Sequence, residues 1–189
     1  MTDLAQLDLL VVGYARDRVA STCTLIRDGD SVIVVDPGMV ADRALMLGPL
    51  ARLGVAATTV TDVVISHHHP DHTVNVALFP NARVHDFAVT YVADEWIERP
   101  PGEFELSAAV RLRHTPGHTD QDQSTLVRSA VGLVALTHLW WQADGPADDP
   151  YALDRDRLRA SREEVLALAP ALIVPGHGTP FRPAADTPR

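Results

Sequence analysis

At 189 residues, 46% hydrophobic and 22% charged, the chain can bury one substantial core, and a single domain over 1–182 is expected, with 183–189 as a flexible tail. Its 16 basic residues are all arginine and face 25 acidic ones, a net charge of −9; lysine Schiff-base chemistry and a P-loop lysine are excluded, and no general basic surface is left for a long nucleic acid. The lone Cys23 excludes an internal disulfide and a multi-cysteine metal cluster, and with no basic leader and no apolar run near the ~18 residues that span a membrane, a cytoplasmic protein without membrane contact is expected.

In chain order, short strands are predicted over 7–12, 21–27 and 31–35, the last two joined into a hairpin by the turn residues Asp28, Gly29 and Asp30. Asp36-Pro-Gly ends the hairpin. Residues 42–53 then offer Leu45, Leu50 and Leu53 before Gly54, as a helix with its stop signal would. A buried strand over 61–66 runs straight into His-His-His-Pro-Asp-His, and a further short strand covers 82–87. Residues 94–107 are rich in proline and charge and read as a loop of the kind that borders a site. Strands follow at 110–114, 123–127 and 131–139, with a polar loop between the first two. Residues 154–168 set Leu158, Val165, Leu166 and Leu168 near one helical face, with Arg159 and Glu163 paired elsewhere, and 171–174 is a buried strand.

Nine histidines are unevenly spread, and four of them lie within 66–73. The spacing His67-x-His69-x-Asp71-His72 directly after an apolar strand releases four donors from one loop, which a solvent or tag-like histidine run would not require. Imidazole and carboxylate are the usual donors for Zn²⁺ or Fe²⁺, and a tetrahedral site needs three or four of them to converge. His118 and His177 each follow a predicted strand and a glycine, which permits the sharp turn that aims a side chain off a strand end. Alone, each reads as a surface histidine; with the first cluster they make a constellation.

That constellation resembles the metallo-β-lactamase-fold hydrolases over nearly the whole chain, and Asp36-Pro-Gly, Thr115-Pro-Gly-His and Val174-Pro-Gly-His-Gly resemble small members without extra substrate domains, one group of which is associated with histone pre-mRNA processing. The resemblance implies a four-layer αββα sandwich with metals in a cleft at one edge of the two sheets. It implies that His67, His69 and His118 bind a first metal and that Asp71, His72 and His177 bind a second, with Zn²⁺ as first choice and Fe²⁺ or Mn²⁺ as alternatives.

One ligand of that pattern departs. Where the family places a metal-bridging aspartate, usually in a Gly-Asp pair, this chain has Thr137-His138. Taken alone, His138 in Leu133–Trp141 reads as a core histidine. In the family's place it faces a harder task, because a carboxylate can hold two cations about 3.5 to 4 Å apart whereas a neutral imidazole offers one lone pair. With Asp71 and one hydroxide as the only anions, two divalent cations would keep a net positive charge, so one firmly bound metal and a weak or absent second are expected. The alternatives are a full dinuclear site with His138 as an ordinary ligand, and His138 as a structural residue.

The leading expectation is a hydrolase that uses metal-bound hydroxide on a small ester, thioester or amide, with Asp71 orienting the nucleophile or taking its proton and His138 donating one to the leaving group. A small-molecule partner is expected, and the oligomeric state is open, a homodimer included. RNA phosphodiester cleavage is an alternative for which Arg155, Arg157, Arg159 and Arg162 form the one dense basic cluster, although Asp154, Asp156, Glu163 and Glu164 lie among them. A mononuclear oxygenase, lyase or isomerase is the other. His68, His85 and His114 fall outside the ligand pattern, as do the loop carboxylates Asp120 and Asp122; of Trp140 and Trp141, only one can face the cleft.

Overall fold

The computed structural model describes residues 4–100 and 102–189; Pro101, inside the expected loop, and the first three residues lie outside it. Fourteen strands and three α-helices follow in order: β1 Gln6–Val11, β2 Tyr14–Ala15, β3 Val19–Ala20, β4 Cys23–Asp28, β5 Ser31–Val35, α1 Ala44–Arg52, β6 Asp62–Val64, α2 Pro70–Thr73, β7 Arg83–His85, β8 Val89–Val92, β9 Glu95–Glu98, β10 Phe104–Glu105, β11 Val110–His114, β12 Gln123–Ser129, β13 Gly132–Thr137, α3 Arg155–Ala167 and β14 Leu172–Pro175. Seven strands form one mixed sheet in the order β1-β4-β5-β6-β7-β8-β9, five form a second in the order β10-β11-β12-β13-β14, and β2 and β3 make a separate hairpin.

The central strands read as unbroken apolar runs because both of their faces are buried. Along β5, Ile33 and Val35 point between the sheets while Val34 points to the helix side; along β13, Val134 and Leu136 face the first sheet and Ala135 faces α3. Three apolar layers result. Ile26, Ile33, Val64, Val110, Val127 and Val174 fill the space between the sheets, Leu25, Met46 and Leu50 lie under α1, and Trp140, Leu158, Val165 and Ile173 lie under α3. Helix, sheet, sheet, helix is the αββα sandwich expected.

Several local expectations are corrected. The 94–107 loop contains β9 and β10; all four residues of β9 are exposed, so a charged edge strand leaves no hydrophobic alternation to read. Leu45 faces solvent, and Met46 takes the buried position with Leu50. In α3, Arg162 joins Leu158 and Val165 on the buried face, and Arg159 and Glu163 form no ion pair among the described residues. Within 183–189, which is outside these corrections, Thr187 is buried and Trp140 Nε1 donates to Pro188 O at 2.8 Å, while Ala184, Ala185, Asp186 and Arg189 are exposed.

A polar knot locks β6, β7 and β8. Buried Asp62 receives His85 Nε2 and Arg83 Nε, each at 2.8 Å, while His85 Nδ1 lies 3.0 Å from Thr90 Oγ1. Burial holds the His85 pKa below its ordinary value in spite of the Asp62 carboxylate. The folded protein therefore declines a proton that the unfolded chain takes up. This contribution is complete above about pH 6.5 and is lost as the pH falls from there through the folded pKa. In metal-free protein the urea midpoint is expected to drop between pH 7 and pH 5, and the drop should be shallower in His85→Gln; equal slopes would contradict this.

Candidate metal centre

The site lies where carboxyl ends of parallel strands meet. β5 and β6 are parallel, β13 and β14 are parallel, and β11 runs the same way as β13 because each is antiparallel to β12. The residues just beyond β6, β11, β13 and β14 are therefore delivered to one edge: His67 to His72, His118, His138 and His177. α2 is a single turn begun by Pro70, which sets Asp71 and His72 side by side.

All seven expected site residues are brought together, as two triads and a seventh ring between them. His67 Nε2 lies 2.9 Å from His69 Nδ1, and His118 Nε2 lies 3.2 Å from the same atom. In the second triad, Asp71 Oδ2 is 3.4 Å from His72 Nε2 and 3.5 Å from His177 Nε2. His138 Nε2 is 3.1 Å from His177 Nε2, and its ring lies 4.3 to 5.0 Å, centroid to centroid, from those of His67, His72, His118 and His177. Gly176 makes this possible by close approach: a Cβ there would stand 2.4 Å from His138 Cδ2. Of the two glycines before ligands, Gly117 alone takes a positive φ, +155°.

The first triad presents neutral nitrogens, and the second presents a carboxylate beside an imidazole whose proton an ion would have to displace. His118 Nδ1 donates to Asp149 Oδ2 at 2.8 Å, and His67 Nδ1 faces Ser66 Oγ at 3.1 Å, so both turn Nε2 lone pairs toward His69. Burial, followed by the neighbouring imidazoles, holds His67 and His138 well below the usual histidine range, and burial lowers His69 and His177 as well. Uncharged nitrogens thus face one another at hydrogen-bond distance. Burial opposes charge on His72, but the Asp36 and Asp71 carboxylates push it up to about 9, and its buried Nε2 has no hydrogen-bond partner. His138 Nδ1 is likewise buried and unpartnered. For Asp71, burial is outweighed by His72 first and His177 second, which bring it down to about 2. Convergent lone pairs, an ionised carboxylate and orphaned nitrogens are the donor set that divalent metal ions require.

Three carboxylates stand behind the ligands in supporting positions that their sequence neighbourhoods, the Asp36-Pro-Gly turn included, do not reveal. Asp36, at φ 52°, accepts from Ser66 N at 2.7 Å through Oδ1 and holds His72 Nδ1 at 2.9 Å through Oδ2. Asp149 supports His118. Asp122 is buried rather than solvated; it accepts from Thr119 N and Oγ1, lies 3.8 Å from His67 Nδ1, and burial pushes it up to about 6. The count that made Asp71 the only anion beside hydroxide therefore omitted charges directly behind His72 and His118.

Above the donors opens a cleft of about 460 Å³ lined by Ala15, Arg16, Val19, Trp141 and Tyr151 together with five of the seven donor residues, His67 and His72 lying beneath it. Trp141 and Tyr151 stack at 5.7 Å and 9°, while Trp140 is fully buried in the core, so the two tryptophans divide as expected. His68 is 3.2 Å from Asp86, His85 belongs to the Asp62 knot, and His114 bonds Asp120 O; none joins the donor cluster. In α3, Arg162 is buried and donates to Leu139 O, Ala147 O and Pro146 O, and Arg155 pairs with Asp148, which leaves Arg157 and Arg159 exposed beside the exposed acids Asp156, Glu163 and Glu164. Among the described residues no helix is long and apolar enough to cross a membrane.

Known proteins resemble this chain in sequence and in fold. The profile of the metallo-beta-lactamase superfamily matches residues 16–139. The human metallo-beta-lactamase domain-containing protein 1 is 38% identical over 160 residues, 79% of this chain and 59% of its own length; the Xenopus laevis protein of that name is 32% identical over 188 residues, 92% of this chain and 80% of its own. The chain thus spans about three fifths of the human relative. Among solved structures, a Thermotoga maritima protein proposed to be a metallo-beta-lactamase aligns with a TM-score of 0.76 at 23% identity, covering 95% of this chain and all of that one. A quorum-quenching N-acyl homoserine lactone hydrolase aligns at 0.71 and 18%, covering 94% and 93%. The sandwich, the donor cluster at its edge and the matching profile together make this chain a member of the metallo-beta-lactamase superfamily.

Proposed function

We propose that the protein is a metal-dependent hydrolase of a small ester, thioester or amide. The observation that carries this reading is the meeting of two donor triads, His67–His69–His118 and Asp71–His72–His177, beneath an open cleft of small-molecule size. His67, His69 and His118 hold one ion. Asp71, His72 and His177 hold a second, with His138 as a further ligand beside His177. The nitrogen-rich set suits zinc first, with Fe²⁺ or Mn²⁺ as alternatives. When bound, such ions supply Lewis acidity and a water acidified to about neutral pH.

The side chains account for the remaining roles. Asp71, ionised throughout the neutral range, orients the attacking water and accepts its proton. Asp36 and Asp149 hold the Nδ1 protons of His72 and His118, which leaves the Nε2 lone pairs for the ions and offsets the charge of a second one. For that reason we favour two ions over one. His138, kept neutral by burial and its imidazole neighbours, serves as a ligand and not as the acid for the leaving group. The stacked Trp141–Tyr151 pair gives a substrate a flat wall.

The test is a panel of ester, thioester, amide and lactone substrates, and RNA, offered to the protein loaded in turn with zinc, iron and manganese, with oxygen consumption recorded. Hydrolysis of at least one small acyl compound, lost on chelation and restored by metal, is expected. Turnover of RNA alone, or oxygen uptake without hydrolysis, would overturn the reading.

A further inference from the structure

One wall of the cleft is a β-hairpin whose base is fastened to the donor cluster. Gly13 N donates to Thr22 Oγ1 at 3.1 Å, Thr22 N donates to Gly176 O at 2.7 Å, and Ala20 O receives the Nδ1 proton of His177 at 2.9 Å. β2 and β3 rise from that base, and the hairpin sets Ala15, Arg16 and Val19 against the cleft. Asp17 and Arg18, at the tip, do not line it. Trp141 lines the same cleft, pinned by Nε1 donation to Asp149 Oδ2 at 3.1 Å and stacked on Tyr151.

Arg16 is set apart from the other arginines by its place in the cleft. Arg27, Arg83, Arg111, Arg113 and Arg155 meet carboxylates, and Arg162 is enclosed by carbonyls. Among the described residues, the Arg16 side chain, like those of six other exposed arginines, has neither an ion pair nor a hydrogen bond, but of these seven it alone lines the cleft, which it shares with Asp71. The protein's net charge is −9, yet the fixed charges that line this cleft are one carboxylate, Asp71, committed to the donor cluster, and one guanidinium that is committed to nothing.

We infer that Arg16 is a specificity residue for substrates that carry a carboxylate, which it holds at the hairpin wall while an apolar or flat part of the same molecule lies on Trp141 and Tyr151. A planar guanidinium fork matches one carboxylate through two parallel hydrogen bonds, whereas a phosphate calls for more donors than this wall supplies. The acyl compound to be cleaved is then an acidic one, such as the half-thioester or half-ester of a dicarboxylic acid. This inference rests on the hydrolase reading for the reaction, but not for the binding.

Binding and turnover are therefore measured separately. Calorimetry on the zinc-loaded full chain compares succinate, glutarate and adipate with their half-amides, in wild type and in Arg16→Ala, Arg16→Lys and Arg16→Glu. In wild type at least one diacid is expected to bind about tenfold or more tightly than its half-amide. Arg16→Ala should remove most of that preference, Arg16→Lys should restore part of it, and Arg16→Glu should reverse it. A wild-type preference within about twofold at every chain length, no binding of any diacid, or a preference that survives Arg16→Ala would each overturn the inference. A parallel assay of half-thioesters against their methyl-capped forms reads the reaction. Diacid preference without thioester cleavage would leave the Arg16 assignment and sink the hydrolase; cleavage without diacid preference would do the reverse.

Discussion

Replacing Asp71 with asparagine is expected to lower hydrolysis by about 10²- to 10⁴-fold while the circular dichroism spectrum stays that of the wild type. Asparagine keeps the shape of the side chain, so the single turn of α2 and the approach of His72 and His177 are undisturbed. What it loses is the one carboxylate among the seven convergent donors. Two consequences follow: the second ion is held only by neutral imidazoles, and no anion stands ready to accept a proton from the attacking water. Steady-state kinetics with saturating zinc separates them. Activity that returns with added metal marks a loss of affinity, and activity that does not return marks a loss of proton transfer. A variant that keeps more than about a tenth of wild-type turnover would contradict the assignment of Asp71 to both tasks.

Asp149→Ala should weaken zinc binding by about 10- to 100-fold although Asp149 belongs to neither triad. Its carboxylate is buried and receives three donors: His118 Nδ1 at 2.8 Å, Trp141 Nε1 at 3.1 Å and Tyr151 N at 2.9 Å. Those donors, with burial opposing them, hold its pKa below the ordinary aspartate value, so it is a full negative charge behind a ligand. Truncation frees the His118 ring to rotate or change tautomer and leaves up to three donors unpaired, at about 1–3 kcal/mol for each that stays buried. It also releases Trp141 from the stack with Tyr151. The expected pattern is a weaker zinc affinity, read by competition with a chromophoric chelator, together with a raised KM. An unchanged zinc affinity would show that the His118 orientation does not depend on this carboxylate.

Asp149 also marks where sequence reasoning stops. His67, His69, Asp71 and His72 were legible because they leave one loop after one buried strand, and His118 and His177 because each follows a strand and a glycine. Nothing in Ala147-Asp-Asp-Pro-Tyr separates Asp149, buried on His118, from Asp148, exposed and paired with Arg155. The contact that distinguishes them joins residues 31 apart in the chain. Arg162 presents the same difficulty, since a helical arginine among charged neighbours looks solvated until three carbonyls from the 139–147 segment are found around it. The layered fold was easier to read, because β4, β5, β6, β13 and β14 are buried on both faces and appear as short apolar runs. The edge strand β9 has no buried face and gives no such signal. At His138 the sequence posed the right question, and the charges that bear on it, Asp36 and Asp149, appear only in three dimensions.

The central claim is that these seven side chains form a two-ion hydrolytic centre in which imidazole takes the bridging carboxylate's place. It is tested most directly by zinc content per chain after equilibrium dialysis, measured on wild type and His138→Asp with thioester hydrolysis assayed on the same samples. The account predicts about two zinc ions per chain in wild type, hydrolysis that rises and falls with them, and no gain in zinc content in His138→Asp. One tightly held zinc in wild type that becomes two in His138→Asp, or hydrolysis indifferent to zinc, would contradict it.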